Sequence, residues 1–235
     1  MRYEIVPGSL ENTEAELVMS NIYKDIFGIE NDVDFIAASF VRSKEDIISL
    51  RKFVDYHGGH DIKIISKIEN IEGVENFDEI LHYSDGIMVA RGDMGVEIEY
   101  ERLPGLQKKF IHKCYRSGKV VITATQMLES MINNATPTRA EITDVANTAY
   151  LRADSTMTSE ETTIGMNPVN VIETMSKILS HADMDAIANP FDWSRVENIP
   201  ENDWSRSVAS MAYLNKASAI VVFARDTITA TEISC

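Results

Sequence analysis

The sequence lacks several features that would assign it to particular classes of protein. No apolar run approaches the roughly 18 residues that a membrane-spanning helix needs, and the first residues, MRYEIVPG, contain no signal-peptide core. Cysteine occurs only at Cys114 and Cys235, and no cluster of cysteine and histidine has the spacing of a zinc site. We therefore expect a cytoplasmic protein without a disulfide framework.

Basic residues are also scarce. The 235 residues include 22 Lys and Arg against 37 Asp and Glu, which gives a net charge of −15. A surface of this charge repels the phosphates of nucleic acids and of anionic lipids. The sequence therefore predicts no nucleic acid and no membrane as a partner, and a phosphorylated substrate would need local cations or a metal ion.

Short apolar segments that alternate with amphipathic helical patterns make up most of the chain. The segments predict strands buried on both faces, because they are rich in apolar residues and have few polar breaks. Alternation of strands and helices indicates an α/β fold, with either a barrel or a doubly wound sheet. The predicted strands are Asp34–Val41, Ile62–Ile68, Gly86–Val89, Val120–Ala124 and Asp154–Thr158. The predicted helices are Thr13–Phe27, Lys44–His57, Val74–Tyr83, Leu103–Ser117, Pro137–Leu151 with Thr136 as N-cap, and Pro168–His181.

A change in composition divides the chain near its end. Residues 183–203 contain two prolines and many acidic side chains, which predicts a linker. Beyond it, Trp204–Asn215 has a helical pattern and Ala219–Phe223 has the pattern of a buried strand. We expect one α/β domain over residues 1–182, the linker, and the beginning of a second α/β domain over residues 204–235.

Charged side chains follow two neighbouring predicted strands. Lys67 and Glu69 end the segment IKIISKIEN, and they share one face of the strand because side chains alternate with a period of two. A lysine leaves water only where an opposite charge compensates it. Asp93 follows the next strand, so a lysine and two carboxylates are predicted at one edge of the sheet.

This set of side chains suits a metal-assisted phosphoryl transfer. Mg²⁺ takes oxygen ligands and usually keeps one or two protein carboxylates, which Glu69 and Asp93 can supply. A lysine beside such a metal can stabilise the charge that develops on a transferring phosphoryl group. The alternative is a salt bridge at the rim of the sheet, and residue types alone leave both interpretations open.

Five blocks of the sequence, in order, resemble the pyruvate kinase family. They are DFIAASFVR (34–42), IKIISKIEN (62–70), SDGIMVARGDMG (84–95), VITATQMLESM (121–131) and PTRAEITDVAN (137–147). The resemblance implies a TIM (β/α)₈ barrel whose site lies at the C-terminal ends of the strands. It implies that the barrel is N-terminally truncated here and is followed by the start of an α/β C-terminal domain. The implied reaction moves the phosphoryl group of phosphoenolpyruvate to ADP, giving pyruvate and ATP, as the last step of glycolysis.

The resemblance also implies roles for individual residues. Lys67 matches the lysine that stabilises the phosphoryl transition state, and Glu69 and Asp93 match the ligands of Mg²⁺ or Mn²⁺. The backbone N–H groups of Gly92 and Asp93 match those that bind the substrate carboxylate. Thr125 matches a threonine near the enolate carbon that is tied to substrate binding and protonation, although its residue type alone favours a strand-end cap.

Part of what the family implies has no counterpart in this sequence. The family is implied to use K⁺ and to form a homo-oligomer, a tetramer, in the complete protein. Its first three strands, which carry the phosphate-binding arginine and the K⁺ ligands, are not matched here. Arg91 is expected to be structural, with Asp85 or a neighbouring chain as its partner, or else to assist phosphate binding.

The last predicted strand departs from the family pattern. Leu151–Thr162 reads LRADSTMTSEET where the family commonly has an apolar strand and the turn SGET. Ser155, Thr156 and Thr158 replace apolar residues and need polar partners. Glu160 replaces a glycine, and we expect strain there if the position needs a positive φ. Ser159 and Glu161 are expected to support Thr125.

Three functions agree with the sequence. The first is an incomplete pyruvate kinase, and the second is a catalytically inactive pyruvate-kinase-like fragment or interaction domain. The third is another Mg²⁺-dependent barrel, such as a 2-oxoacid aldolase, which would not need Lys67. We expect the 235-residue chain by itself to lack activity, because an open barrel edge remains and phosphate-binding groups are missing.

Overall fold

The computed structural model describes residues 25–188, 204–223 and 233. Its centre is a sheet of five parallel strands, in which each strand pairs with the next one along the chain. A doubly wound sheet reverses its strand order at a switch point, whereas a barrel is wound in one direction. The α/β class is confirmed, and the order favours a barrel. The strands are β1 (Phe35–Ala38), β2 (Lys63–Ile68), β3 (Gly86–Ala90), β4 (Val120–Ala124) and β5 (Ser155–Met157).

Helices connect the strands and cover one face of the sheet. The described part of α1 covers residues 25–30. The further helices are α2 (Lys44–Tyr56), α3 (Ile71–Glu75), α4 (Phe77–Tyr83), α5 (Arg91–Glu97), α6 (Leu103–Arg116), α7 (Arg139–Tyr150), α8 (Glu160–Thr163), α9 (Pro168–Ala188) and α10 (Trp204–Leu214). Within the part of the chain that the structure describes, no helix is both long and apolar enough to cross a membrane.

Both faces of the central strands are buried, as their apolar runs predicted. Alternate strand residues pack against the helices, where the rings of Phe77 and Phe110 stack with their centroids 4.0 Å apart. The strand residues that alternate with these form a second cluster on the opposite face of the sheet, which includes Ile65 and Met88. Lys67 alternates in step with Ile65, so its side chain belongs to this second face.

Two aspartates tie the beginnings of neighbouring strands together. Asp85, directly before β3, accepts a hydrogen bond from the Ile64 N–H at 2.8 Å. Asp154, directly before β5, accepts one from the Val121 N–H at the same distance. The Asp85 N–H donates in return to the Ile64 carbonyl, and the Asp154 N–H donates to the Val121 carbonyl, both at 3.0 Å. The two side chains therefore extend the hydrogen-bond ladder at the N-terminal edge of the sheet.

Two helix predictions before α9 were wrong in their boundaries. The predicted helix Val74–Tyr83 is two helices, α3 and α4, which meet at Asn76. Helix α7 begins at Arg139 with Thr138 as its N-cap, whereas Thr136 was predicted. Thr138 Oγ1 accepts a hydrogen bond from the Glu141 N–H, and the Glu141 carboxylate accepts one from the Thr138 N–H. This reciprocal capping box sets the start of the helix.

Glu141 also connects α7 to the loop after β4. Its carboxylate accepts hydrogen bonds from the Ser130 N–H at 2.7 Å and from Ser130 Oγ at 2.5 Å. Burial raises the pKa of the carboxyl, but the hydrogen bonds from Ser130 and Thr138 outweigh burial and leave the pKa of Glu141 below its ordinary value. The anionic form is therefore the one that fits this position.

The end of the described chain differs from expectation. Helix α9 continues to Ala188, beyond the predicted end at His181, and most of the predicted linker lies outside the described residues. Ala219–Phe223 is not a strand. Val221 is 76% exposed and Phe223 is 97% exposed, because the described sheet offers this segment no neighbouring strand. Most of the predicted helix Thr13–Phe27 also lies outside the described residues, and the division into domains stays a prediction.

We expect Asp154→Ala to lower the free energy of unfolding by about 1–3 kcal/mol, because the Val121 N–H loses its side-chain acceptor. Urea unfolding followed by circular dichroism measures the change. Asp61→Ala is the control, since Asp61 is exposed and should change stability by less than about 0.5 kcal/mol. Equal effects of the two substitutions would show that the Asp154 contact does not stabilise the sheet.

Candidate active site

An ion pair lies at the C-terminal end of β2. Lys67 Nζ is 2.6 Å from Glu69 Oε1 and donates a hydrogen bond to Ser39 Oγ at 3.1 Å. The Glu69 side chain is only 1% exposed, while that of Lys67 is 23% exposed. The predicted pairing is confirmed, and the burial of Glu69 distinguishes it from a solvated salt bridge at the rim.

The two oxygens of Glu69 have different surroundings. Oε2 accepts a hydrogen bond from the Phe40 N–H at 2.5 Å. Oε1 touches the Lys67 ammonium but accepts no well-directed hydrogen bond from the described residues, although it is buried. A buried carboxylate oxygen with an unused lone pair is costly unless something binds it. Such an oxygen is chemically suited to bind a metal ion.

The loop after β1 provides the Phe40 contact at a cost in backbone energy. Phe40 has a φ of 54°, which is in the left-handed region. Such a conformation is an outlier for a bulky residue and costs about 1–3 kcal/mol. The strained backbone at Phe40 positions the N–H group that binds Glu69. Strained backbone of this kind is concentrated at functional sites.

Asp93 lies at the edge of the neighbouring strand. The register of β2 and β3 pairs Lys67 with Met88, so the residues that follow the two strands share one edge of the sheet. Helix α5 begins directly after β3 and holds Gly92 and Asp93 in its first turn, where backbone N–H groups have no acceptor within the helix. Asp93 is exposed.

The described residues contain no group of three or more His, Cys, Asp and Glu side chains that could hold a metal ion. A metal ion bound by Glu69 and Asp93 would therefore take its remaining ligands from water and substrate, which is the arrangement that Mg²⁺ prefers.

Thr125 follows β4 and contacts the turn that contains Gly92. Thr125 has a φ of 75° and Gln126 a φ of 55°, so two consecutive residues without the freedom of glycine adopt the left-handed region. A Cβ atom added at Gly92 would lie 2.7 Å from Thr125 Cγ2. Glycine is needed at position 92 because of this close approach. The structure thus brings together two of the predicted site residues.

Arg91 has a structural role, as predicted, but its partners differ from those proposed. Its guanidinium donates hydrogen bonds to the carbonyls of Thr125 and Gln126 and forms an ion pair with Asp144 at 2.5 Å. The prediction of Asp85 as a partner was wrong, because the carboxylate of Asp85 accepts from the Ile64 N–H.

The altered last strand keeps one contact to the Thr125 loop. Glu161 is buried and accepts hydrogen bonds from the Leu128 N–H at 3.1 Å and the Ser159 N–H at 2.8 Å. Thr158 Oγ1 finds a partner in Thr162 Oγ1 at 3.1 Å. The prediction of strain at Glu160 is wrong, since this residue begins α8 and has no positive φ.

Sequence reasoning missed Ser39 and Phe40. Ser39 is the first polar residue after β1, and its place at the C-terminal end of a predicted strand was a usable signal. Phe40 acts through its backbone N–H, and its residue type gave no signal of that contact.

Comparison with known proteins adds to this geometry. A family model described as pyruvate kinase, barrel domain, matches residues 15–172. The chain belongs to the pyruvate kinase family. Pyruvate kinase of Clostridium perfringens is 55% identical over 67% of this chain and 33% of its own length. That of Clostridium acetobutylicum is 44% identical over 89% of this chain and 45% of its own length.

A third relative is similar to a comparable part of the chain. Pyruvate kinase of Dictyostelium discoideum is 52% identical over 76% of this chain and 35% of its own length. The chain therefore spans between a third and a half of the length of these pyruvate kinases. The resemblance to the family and the barrel fold are confirmed.

We expect Gly92→Ala to destabilise the protein by about 1–3 kcal/mol, because the new methyl group would overlap Thr125 Cγ2. Thr125→Ser removes that atom, so the double variant should recover most of the loss. Gly105→Ala is the matched control, since nothing lies within 4 Å of its added Cβ and alanine favours helix α6. Thermal unfolding of the four variants measures the effect, and additive losses in the double variant would contradict the contact.

Proposed function

We propose that this chain is part of a pyruvate kinase that transfers the phosphoryl group of phosphoenolpyruvate to ADP. The observation that carries the proposal is the buried Glu69 carboxylate beside Lys67, at the C-terminal edge of a parallel sheet. Oε1 of Glu69 is buried and contacts the Lys67 ammonium, but it accepts no well-directed hydrogen bond from the described residues. A buried carboxylate beside a lysine supports the proposal, because both groups are used in metal-assisted phosphoryl transfer.

Glu69 and Asp93 would hold Mg²⁺, or Mn²⁺ in its place. When bound, the metal ion supplies positive charge next to the oxygens of the phosphoryl group and the enolate. The hydrogen bond from the Phe40 N–H to Oε2 holds the Glu69 carboxylate in one orientation. Its other oxygen, Oε1, contacts the Lys67 ammonium and would be the one that binds the metal ion.

Lys67 would stabilise the transferring phosphoryl group. Its ammonium is partly exposed and rests between Glu69 and Ser39. The hydroxyl of Ser39 is a neutral partner that a phosphoryl oxygen can replace at little cost, while the Glu69 carboxylate holds the Lys67 ammonium close. A fixed cation of this kind stabilises negative charge that develops in the transition state.

The substrate carboxylate would bind the first turn of α5. The backbone N–H groups of Gly92 and Asp93 can donate to it, and the helix N-terminus favours negative charge. The Thr125 side chain lies against Gly92, with Oγ1 3.7 Å from the position of an added Cβ. We propose that its hydroxyl contributes to substrate binding and to protonation of the enolate carbon.

The complete protein would have further requirements. We propose K⁺ as a second cation, although its family ligands have no counterpart in this sequence. We also propose phosphoenolpyruvate and ADP as substrates, a homo-oligomer as the assembly and the cytoplasm as the location.

The alternative is that the 235-residue chain alone is a catalytically inactive fragment. Within the described residues, β1 and β5 each have a neighbour on only one side. Phe35 on β1 is 55% exposed and Met157 on β5 is 37% exposed. A barrel closes through pairing of its first and last strands, and the described sheet lacks that closure.

We expect Glu69→Gln combined with Asp93→Asn to abolish Mn²⁺ binding, because both carboxylate ligands are lost while the shapes of the side chains are kept. Electron paramagnetic resonance of free Mn²⁺ measures the affinity. The control is Asp61→Asn combined with Glu101→Gln, which changes the charge equally at two exposed positions. Equal affinities of the two double variants would remove Glu69 and Asp93 from the site.

In a complete protein that contains this chain, we expect Lys67→Met to lower kcat by at least about 10³-fold, the size expected when a transition-state cation is lost. Mn²⁺ affinity should stay nearly constant. Lys63→Met is the control on the same strand, because Lys63 is exposed at its far end. A coupled assay of pyruvate formation measures kcat, and an unchanged rate in Lys67→Met would exclude Lys67 from the mechanism.

The same assay on the 235-residue chain separates the two candidate functions. We expect less than about one turnover per second. Faster turnover that is abolished by Lys67→Met would contradict the inactive-fragment alternative.

A further inference from the structure

Arg91 is largely buried and binds the loop that carries Thr125 through several hydrogen bonds. Its side chain is only 13% exposed. Nε donates to the Thr125 carbonyl at 3.1 Å and lies 3.4 Å from that of Ala124. Nη2 donates to the carbonyls of Thr125 at 2.6 Å and Gln126 at 3.2 Å. One guanidinium therefore satisfies three consecutive backbone carbonyls.

Two of these carbonyls belong to residues in an unfavourable conformation. Thr125 and Gln126 have positive φ, which only glycine adopts freely. A backbone of this kind persists only when its surroundings determine it. The hydrogen bonds from Arg91 supply that constraint at the residues where it is needed.

Asp144 fixes the guanidinium from the other side. Its Oδ2 lies 2.5 Å from Arg91 Nη1, and Gln107 Oε1 accepts from the same nitrogen at 3.3 Å. Asp144 belongs to α7 and Gln107 to α6, so two helices hold the orientation of one side chain.

The position of Arg91 in the chain links this loop to a second part of the site. Arg91 directly precedes Gly92, whose Cα approaches Thr125 so closely that no Cβ fits between them. The backbone of Arg91 is therefore continuous with the Gly92–Asp93 turn, while its side chain binds the carbonyl of Thr125.

We propose that Arg91, oriented by Asp144, is a positioning residue that fixes Thr125 against the Gly92–Asp93 turn, and that lysine cannot replace it. A guanidinium offers five donors in a planar fork, which reaches adjacent carbonyls and a carboxylate together, whereas an ammonium is a point charge with three donors. The consequence for catalysis rests on the proposed function, but the consequence for the geometry does not.

The first experiment measures the geometry in the 235-residue chain. Threonine methyl labelling gives the nuclear Overhauser effect between the Thr125 γ2-methyl group and the Gly92 Hα. We expect Arg91→Lys to abolish this signal and Asp144→Asn to weaken it. Arg102→Lys is the matched control, because Arg102 also pairs with a carboxylate, Glu99, but on the exposed surface. A retained signal in Arg91→Lys overturns the proposal.

The second experiment separates positioning from a general structural role. Oxalate is a planar dianion that resembles the enolate of pyruvate, and its Mn²⁺-dependent binding reports on the Thr125 side of the site. We expect Arg91→Lys to weaken oxalate binding by at least about tenfold, with less than a twofold change in Mn²⁺ affinity. Unchanged oxalate affinity overturns the positioning role.

Two further outcomes are also decisive. If Arg91→Lys does not fold, Asp144→Asn takes its place, and unchanged methyl contact and oxalate affinity in that variant overturn the proposal. If the unaltered chain binds Mn²⁺ but no oxalate, the proposed function fails for this chain, and the methyl contact still decides whether Arg91 holds the loop.

Discussion

Both faces of the central strands β2 and β3 are buried, and this constraint determines where the polar side chains of these strands can lie. Within β2 and β3 a charged group would lose its hydration on either face, so Lys67, Glu69 and Asp93 are found where these strands end. Parallel pairing in chain order then brings the ends of successive strands to one edge. The candidate site is a direct result of that arrangement.

The same edge carries most of the unfavourable backbone in the described sheet region. Phe40, Thr125 and Gln126 have positive φ, and each of them lies just beyond the C-terminal end of a strand. Side chains from other elements compensate for them: the Phe40 N–H binds the buried Glu69, and the carbonyls of Thr125 and Gln126 bind Arg91. Stability and the shape of the site therefore depend on the same few contacts.

Membership of the pyruvate kinase family agrees with the topology that physical reasoning indicated. The chain spans between a third and a half of the relatives described above, and its described sheet has two strands with one neighbour each. Lys67 and Glu69 lie at the end of β2, Asp93 follows β3 and Thr125 follows β4, and each of these three strands has a neighbour on both sides in the described sheet. This part of the site is consequently built from residues within the chain itself.

The sequence by itself determined the strands and the polar residues that follow them. β4 was predicted with its observed bounds, and Lys67 and Glu69 were correctly paired, because strand periodicity is a local property of the chain. Ala219–Phe223 shows the limit of this reasoning, since an apolar run becomes a strand only beside another strand. The tertiary structure decided the partners: Asp144 rather than Asp85 for Arg91, and the Phe40 N–H for Glu69. Such contacts join residues far apart in the chain, often through backbone groups that every residue possesses, so residue type alone cannot specify them.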